Sequence, residues 1–133
     1  WERIPADRST CMIHGDAWRG NCAVTSDGRS FLLDFERSSL GQPEWDSTST
    51  AVAIDTFGAL TPEDYNRFCL AYGSDVRVWA GYPTMRSIRE LRLVTFALQA
   101  ADQDPSALEQ AQYRIACVRG LRGPRPWAWS SAG

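Results

Sequence analysis

Two short runs of alternating apolar residues, 21–25 and 30–33, are separated by Ser26-Asp27-Gly28-Arg29. Asp-Gly between such runs is hairpin-turn chemistry, because Gly takes the positive φ that a tight turn demands. The hairpin register puts Cys22 and Val24 on one face and leaves Phe31 and Leu33 to pack against a core. It also brings Asn21 and Asp34 to the two open ends of the hairpin, close in space despite thirteen intervening steps of chain. A third β-like run, residues 10–13, leads into His14-Gly15-Asp16.

The remainder reads as helix. Residues 46–57 form a first segment stopped by Gly58. Thr61-Pro62-Glu63-Asp64 starts the second: Thr caps, Pro stands at the first helical position, and the acids meet the positive end of the helix dipole. Tyr65, Phe68, Cys69 and Tyr72 follow at helical spacing, and Gly73 closes the element. A third helix over about 84–101 aligns Met85, Ile88, Leu91, Thr95 and Leu98 in one stripe, with Arg86, Arg89, Glu90 and Arg92 clustered in its first half. A last helix runs from Pro105, capped by Asp104, through Leu108, Ala111, Ile115 and Val118. Residues 123–133, rich in Pro, Trp and Ser, read as an irregular packed terminus. No repeat or linker interrupts the chain, so residues 1–133 are expected to form a single α+β domain.

Composition excludes several functions. A formal charge of −2 offers no basic face for nucleic acid. No run approaches the roughly 18 apolar residues of a membrane span, and the N-terminal residues Trp1-Glu2-Arg3-Ile4-Pro5 carry no signal-peptide pattern. All 14 basic residues are Arg, so no lysine of this chain can clamp a phosphate or form a Schiff base. Cys11, Cys22, Cys69 and Cys117 form no CxxC pair and stand in apolar stretches beside a single His. They are expected to be reduced core thiols of a cytoplasmic protein.

The chemistry-bearing segment is His14-Gly15-Asp16-Ala17-Trp18-Arg19-Gly20-Asn21, followed by Leu32-Leu33-Asp34-Phe35-Glu36. Phosphoryl transfer to a hydroxyl needs a carboxylate that orients the hydroxyl and takes its proton, and oxygen ligands that hold Mg²⁺ against a triphosphate. Asp16, on a loop after a strand, can be the first. Asn21 and Asp34, across the hairpin, can be the second.

These residues match a pattern. HxDxxxxN followed by D-F-[GED] resembles the catalytic and metal loops of protein-kinase-like folds. With Gly15 in the second position it resembles the aminoglycoside phosphotransferases and related small-molecule kinases. Leu40-Gly41-Gln42-Pro43-Glu44-Trp45-Asp46 is similar to that family's G-x-P-x-[WY]-D element, and the helices from Asp46 to about Leu121 fit its helical C-terminal lobe. The resemblance implies a protein-kinase-like C-terminal lobe, ATP or GTP as phosphoryl donor, Mg²⁺ as cofactor and a small-molecule hydroxyl as acceptor. It implies Asp16 as catalytic base, Asn21 and Asp34 as metal ligands, His14 as a buttress of the metal loop, and Asp46 as a tie between the two loops.

The pattern also has departures. Trp18 stands where protein kinases carry a phosphate-contacting Lys, and Arg19, where the family often has Pro, could reach the transferring phosphoryl. Glu36 replaces the Gly of the protein-kinase metal motif. Should the acceptor be a polycationic aminoglycoside, Glu36, Glu44, Asp75, Glu90 and Asp102 are candidate acids, Trp18, Trp45 and Trp79 candidate aromatic surfaces, and Gly81-Tyr82-Pro83 a candidate rim. Macrolides, choline and homoserine are acceptors of the same family. The family's N-terminal nucleotide lobe has no counterpart before the catalytic loop, and the first residue is not Met. The expectation is a chain cut from a longer protein, inactive alone and completed by that protein's own N-terminal lobe. Two other readings stand beside the kinase: a kinase-like binding or regulatory remnant, and a metal-dependent hydrolase built on His14, Asp16 and Asp34, which a single His supports poorly.

Overall fold

In the computed structural model, residues 10–130 are described. The expectations for Trp1–Pro5 and for the last three residues of the tail lie outside them. Strand β1 (Cys11–Ile13) leads to a 3₁₀ turn at Arg19–Asn21, then to β2 (Cys22–Val24) and β3 (Ser30–Leu32). A second 3₁₀ turn, Phe35–Arg37, precedes β4 (Ser39–Gly41). Helices α1 (Glu44–Asp55), α2 (Pro62–Tyr72), α3 (Tyr82–Gln103) and α4 (Leu108–Val118) complete the order. No helix among the described residues is long and apolar enough to cross a membrane.

The expected hairpin is β2–β3, antiparallel with Cys22 opposite Leu32 and Val24 opposite Ser30. Its turn closes through Thr25 N–H to the Arg29 carbonyl at 2.9 Å, with Gly28 at φ +84°. One expectation fails here: Cys22, Val24, Phe31 and Leu33 all stay exposed, because the helices pack on one another instead of on this ribbon. A second sheet was not expected. β1 pairs antiparallel with β4, Cys11 opposite Gly41 and Ile13 opposite Ser39. That pairing closes residues 14–38 into a loop around the hairpin, so both motif segments leave from neighbouring strand ends.

Helix α2 follows its sequence signals. Thr61 Oγ1 accepts the Asp64 N–H at 3.1 Å, Pro62 opens the helix, and Gly73 ends it at φ +90°. Helix α1 begins and ends two residues before the expected bounds. It buries small polar residues (Ser47, Thr48, Ser49) together with Ala51 and Val52, and Thr48 Oγ1 donates to the Glu44 carbonyl at 2.7 Å. One core gathers Ala51, Tyr65, Val76, Trp79, Tyr82 and Met85 between α1, α2 and the start of α3. The other gathers Val94, Cys117, Trp127 and Trp129 between α3, α4 and the tail, which is packed as expected.

The stripes expected for α3 and α4 need correction. Leu91, Thr95 and Leu98 are exposed, while Arg89 and Glu90 are buried with Met85, Val94 and Ala97. On α4, Leu108 and Val118 are exposed and Arg114 is buried with Ala111 and Cys117. In both helices a charged side chain occupies the core face because it finds partners there. Arg114 donates to the carbonyls of Leu93 (2.8 Å) and Ser130 (2.5 Å) and stacks on Trp129. The cysteines are free as expected, yet Cys11 and Cys22 are exposed and only Cys117 is fully buried.

Candidate active site

The loop after β1 is held by its own backbone. Gly15 has φ +82°, and a Cβ there would stand 2.2 Å from the Arg37 carbonyl oxygen. A side chain is therefore excluded twice, by conformation and by the segment packed over it. Both polar groups of Gly15 are taken by the element that opens α1: its N–H donates to Asp46 Oδ1 at 2.9 Å, and its carbonyl accepts Trp45 Nε1–H at 2.9 Å. Asp46 Oδ2 accepts the His14 N–H at 2.7 Å. Trp45-Asp46 thus clamps His14-Gly15.

His14 is buried and joins this loop to the strand that precedes Asp34. The Asp16 N–H can only donate, so His14 Nδ1, 3.3 Å away, is the acceptor and Nε2 carries the proton. Nε2–H then donates to the Leu33 carbonyl at 2.9 Å. The ring also packs on Phe35, centroids 4.9 Å apart.

Asn21 is buried, and its Nδ2 donates to the Asp16 carbonyl at 2.9 Å, leaving Oδ1 as the amide's acceptor. Its own carbonyl accepts the Leu33 N–H at 2.9 Å, which sets Asp34 one residue beyond the end of the hairpin ladder. Asp34 is exposed and sits at φ 64°, ψ 64°, a left-handed conformation that Asp tolerates better than most residues. A neutral amide oxygen and a carboxylate suit a hard cation whose remaining ligands are phosphate and water oxygens. Among the described residues no cluster of three or more His, Cys, Asp or Glu could hold a metal alone.

Asp16 itself is partly buried, and a residue that the motif does not contain approaches it. Arg89, on α3, donates from Nη2 to Asp16 Oδ1 at 3.1 Å, across 73 positions. Arg89 is only 9% exposed. Burial pushes its pKa down and the Asp16 carboxylate opposes that push, while the nearby charges of Arg92 and Arg37 reinforce it. The cluster of Arg and Glu on α3 was visible in the sequence, but its usual meaning is a solvated face, and nothing local marked Arg89 as the member aimed at Asp16.

The other candidates are scattered. Trp18 and Arg19 are exposed, the Trp18 ring lying over Gly20. Glu36 is exposed beside Arg37, 3.9 Å away, and Glu44 is buried at the start of α1. Asp75 accepts from Tyr65 Oη at 2.7 Å and from the Arg77 N–H at 2.9 Å. Glu90 is buried against Arg125, and Asp102 is exposed near the far end of α3. Trp79 and Tyr82 belong to the core, so neither forms an aromatic rim. A groove of about 750 Å³ beside Gly15 is lined by Ile13, Arg37, Trp45, Met85, Ile88 and Arg92, with the Arg92 guanidinium 5.2 Å from the Trp45 ring.

A sequence model of the phosphotransferase enzyme family matches residues 1–91, which include all the residues that meet at Asp16. No curated protein and no solved structure gives a match.

Proposed function

The chain belongs to the phosphotransferase enzyme family, and from that premise we propose that it carries the acceptor and metal half of a small-molecule kinase. The observation that carries the reading is the coupling of two loops. His14 and Asn21 both bond Leu33, so the Asp16 loop and the strand entering Asp34 hold one geometry. Asp16 is the base: it orients an alcohol and takes its proton as the alcohol oxygen bonds to the γ-phosphorus and the bond to the β-phosphate oxygen breaks. Asn21 Oδ1 and the Asp34 carboxylate are the ligands for Mg²⁺, which supplies charge neutralisation along the triphosphate. The donor is ATP or GTP, which implies the cytoplasm, and a nucleotide lobe of the same longer protein completes the donor site.

Charge around Asp16 bears on the acceptor. Among the described residues, Arg89 bonds Asp16 and stands near Arg37 and Arg92, while Glu44 and Glu90 are buried, Asp75 is paired with Arg77, and Glu36 lies exposed beside Arg37. This favours a neutral or anionic alcohol over an aminoglycoside, since a polycation beside three guanidinium groups meets like charge.

The test is Mg²⁺-dependent consumption of ATP or GTP by the full-length protein, offered aminoglycosides, macrolides, amino alcohols and hydroxy acids. Turnover with a neutral or acidic alcohol is expected. Turnover confined to aminoglycosides overturns the acceptor reading, and no turnover with any alcohol under saturating Mg·nucleotide overturns the kinase reading.

A further inference from the structure

We propose that Arg89 is the positioning residue for Asp16, fixing which carboxylate oxygen faces the acceptor. The inference rests on the kinase reading above and extends it to a residue outside the motif. The backbone of Asp16 is already tied at both ends, its N–H to His14 Nδ1 and its carbonyl to Asn21 Nδ2. What remains free is rotation about the side-chain bonds. The bond from Arg89 Nη2 engages Oδ1 and removes that freedom, leaving Oδ2 to take the acceptor's proton.

The other deeply buried arginine shows what a purely structural guanidinium does in this fold. Arg114 is 1% exposed and spends its donors on the backbone carbonyls of Leu93 and Ser130 and on the neutral Gln110 side-chain oxygen, between aromatic rings. Arg89 instead reaches from a long helix to a carboxylate on a loop 73 positions away. Burying a cation beside Arg37 and Arg92 is costly, and the attraction to Asp16 offsets part of that cost. A helix of 22 residues is also a stiffer mount than the loop, suited to holding a reacting group within a fraction of an ångström.

The experiment is a double-mutant cycle in the full-length protein, with Arg89→Met, Asp16→Asn and their combination. Phosphoryl transfer from Mg·ATP is measured with water as acceptor, so no particular alcohol is presupposed. Arg89→Met is expected to lower kcat by about a hundred-fold, the cost of a misplaced reacting group, with the KM for Mg·ATP within about two-fold. Arg89→Lys, which keeps one charged donor, is expected to recover part of the loss. In the Asp16→Asn background Arg89→Met is expected to cost almost nothing more, since the residue it positions no longer acts as a base. Thermal midpoints of each variant separate lost folding from lost positioning. Should Arg89→Met not fold, Arg89→Lys supplies the same cycle. Additive losses, or an unchanged kcat in a folded Arg89 variant, overturn the proposal while the kinase reading stands. A wild-type protein that transfers no phosphoryl group to water or to any of the alcohols offered above overturns both.

Discussion

Asp46 Oδ2 accepts the backbone N–H of His14 at 2.7 Å, although the two residues are 32 positions apart. With Oδ1 on the Gly15 N–H, one carboxylate caps two consecutive donors of the loop that carries Asp16. Asp46→Asn keeps one acceptor and turns an amide N–H₂ toward the other donor. A loss of about 1.5–3 kcal/mol in urea unfolding is expected, the range for a hydrogen bond to a charged group, with a fall in kcat of the full-length protein. An unchanged unfolding midpoint would show that the clamp carries no load.

Asp16→Asn should lower kcat by about 10² to 10⁴, the usual worth of a positioned base. The amide retains the shape and can still accept from Arg89, so Mg·ATP binding should stay within about two-fold. Steady-state rates beside a nucleotide titration check this. A variant that keeps its rate removes Asp16 from the role.

Asp34→Asn separates metal binding from backbone strain, because Asn also tolerates the left-handed conformation at φ 64°. The variant should fold with an unchanged thermal midpoint and bind nucleotide several-fold more weakly in Mg²⁺. Without Mg²⁺ the two proteins should bind alike. Equal affinity in both conditions would argue against ligation by Asp34.

The family was legible because its motifs fix both residue type and spacing, and the hairpin and the caps of α2 because turn and cap chemistry is local. β4 was not. Ser39-Leu40-Gly41 has little strand character, and it becomes a strand only by pairing with Cys11–Ile13 across the hairpin. The face of α3 was missed for a related reason. Leu91 and Leu98 look like core and Arg89 and Glu90 like surface until their distant partners, Asp16 and Arg125, are in place. The fold is least readable where long-range ion pairs decide which side of a helix is inside, and the proposed positioning of Asp16 depends on such a pair.

Asp75 gives a pH prediction. Burial raises its pKa, but hydrogen bonds from Tyr65 and from the Arg77 backbone and side chain outweigh this, so the net shift is downward. A carboxylate depressed in the folded state contributes stability that is full above its unfolded pKa, about 4. That contribution is lost as pH falls through the lower folded value. Asp75→Asn should therefore lower the urea midpoint at pH 7 and narrow the gap between pH 7 and pH 3. An identical gap in both proteins would sink the assignment.

Glu90 fixes the tail to α3 and offers the largest stability effect. It is 2% exposed, and Oε1 accepts from Thr56 Oγ1 at 2.7 Å and from Arg125 Nε at 2.6 Å, while Oε2 accepts from Arg125 Nη2 at 2.6 Å. Two residues on, the Trp127 N–H bonds the Thr56 carbonyl at 2.8 Å, and Trp127 and Trp129 fill the second core. Replacing Arg125 with Met leaves a buried carboxylate with too few donors, and about 3–5 kcal/mol of destabilisation is expected. Glu90→Gln should cost less, since the amide keeps one acceptor for Thr56 and lacks a full charge to strand. The pair Glu90→Leu with Arg125→Leu should recover much of the Arg125→Met loss, because apolar residues need no partners in that space. Urea unfolding followed by tryptophan fluorescence tests the order. If Arg125→Met unfolds at the wild-type midpoint, the ion pair does not hold the tail, which is then held by the packing of Trp127 and Trp129 and by the bonds of Trp127 to Thr56 and of Arg114 to Ser130.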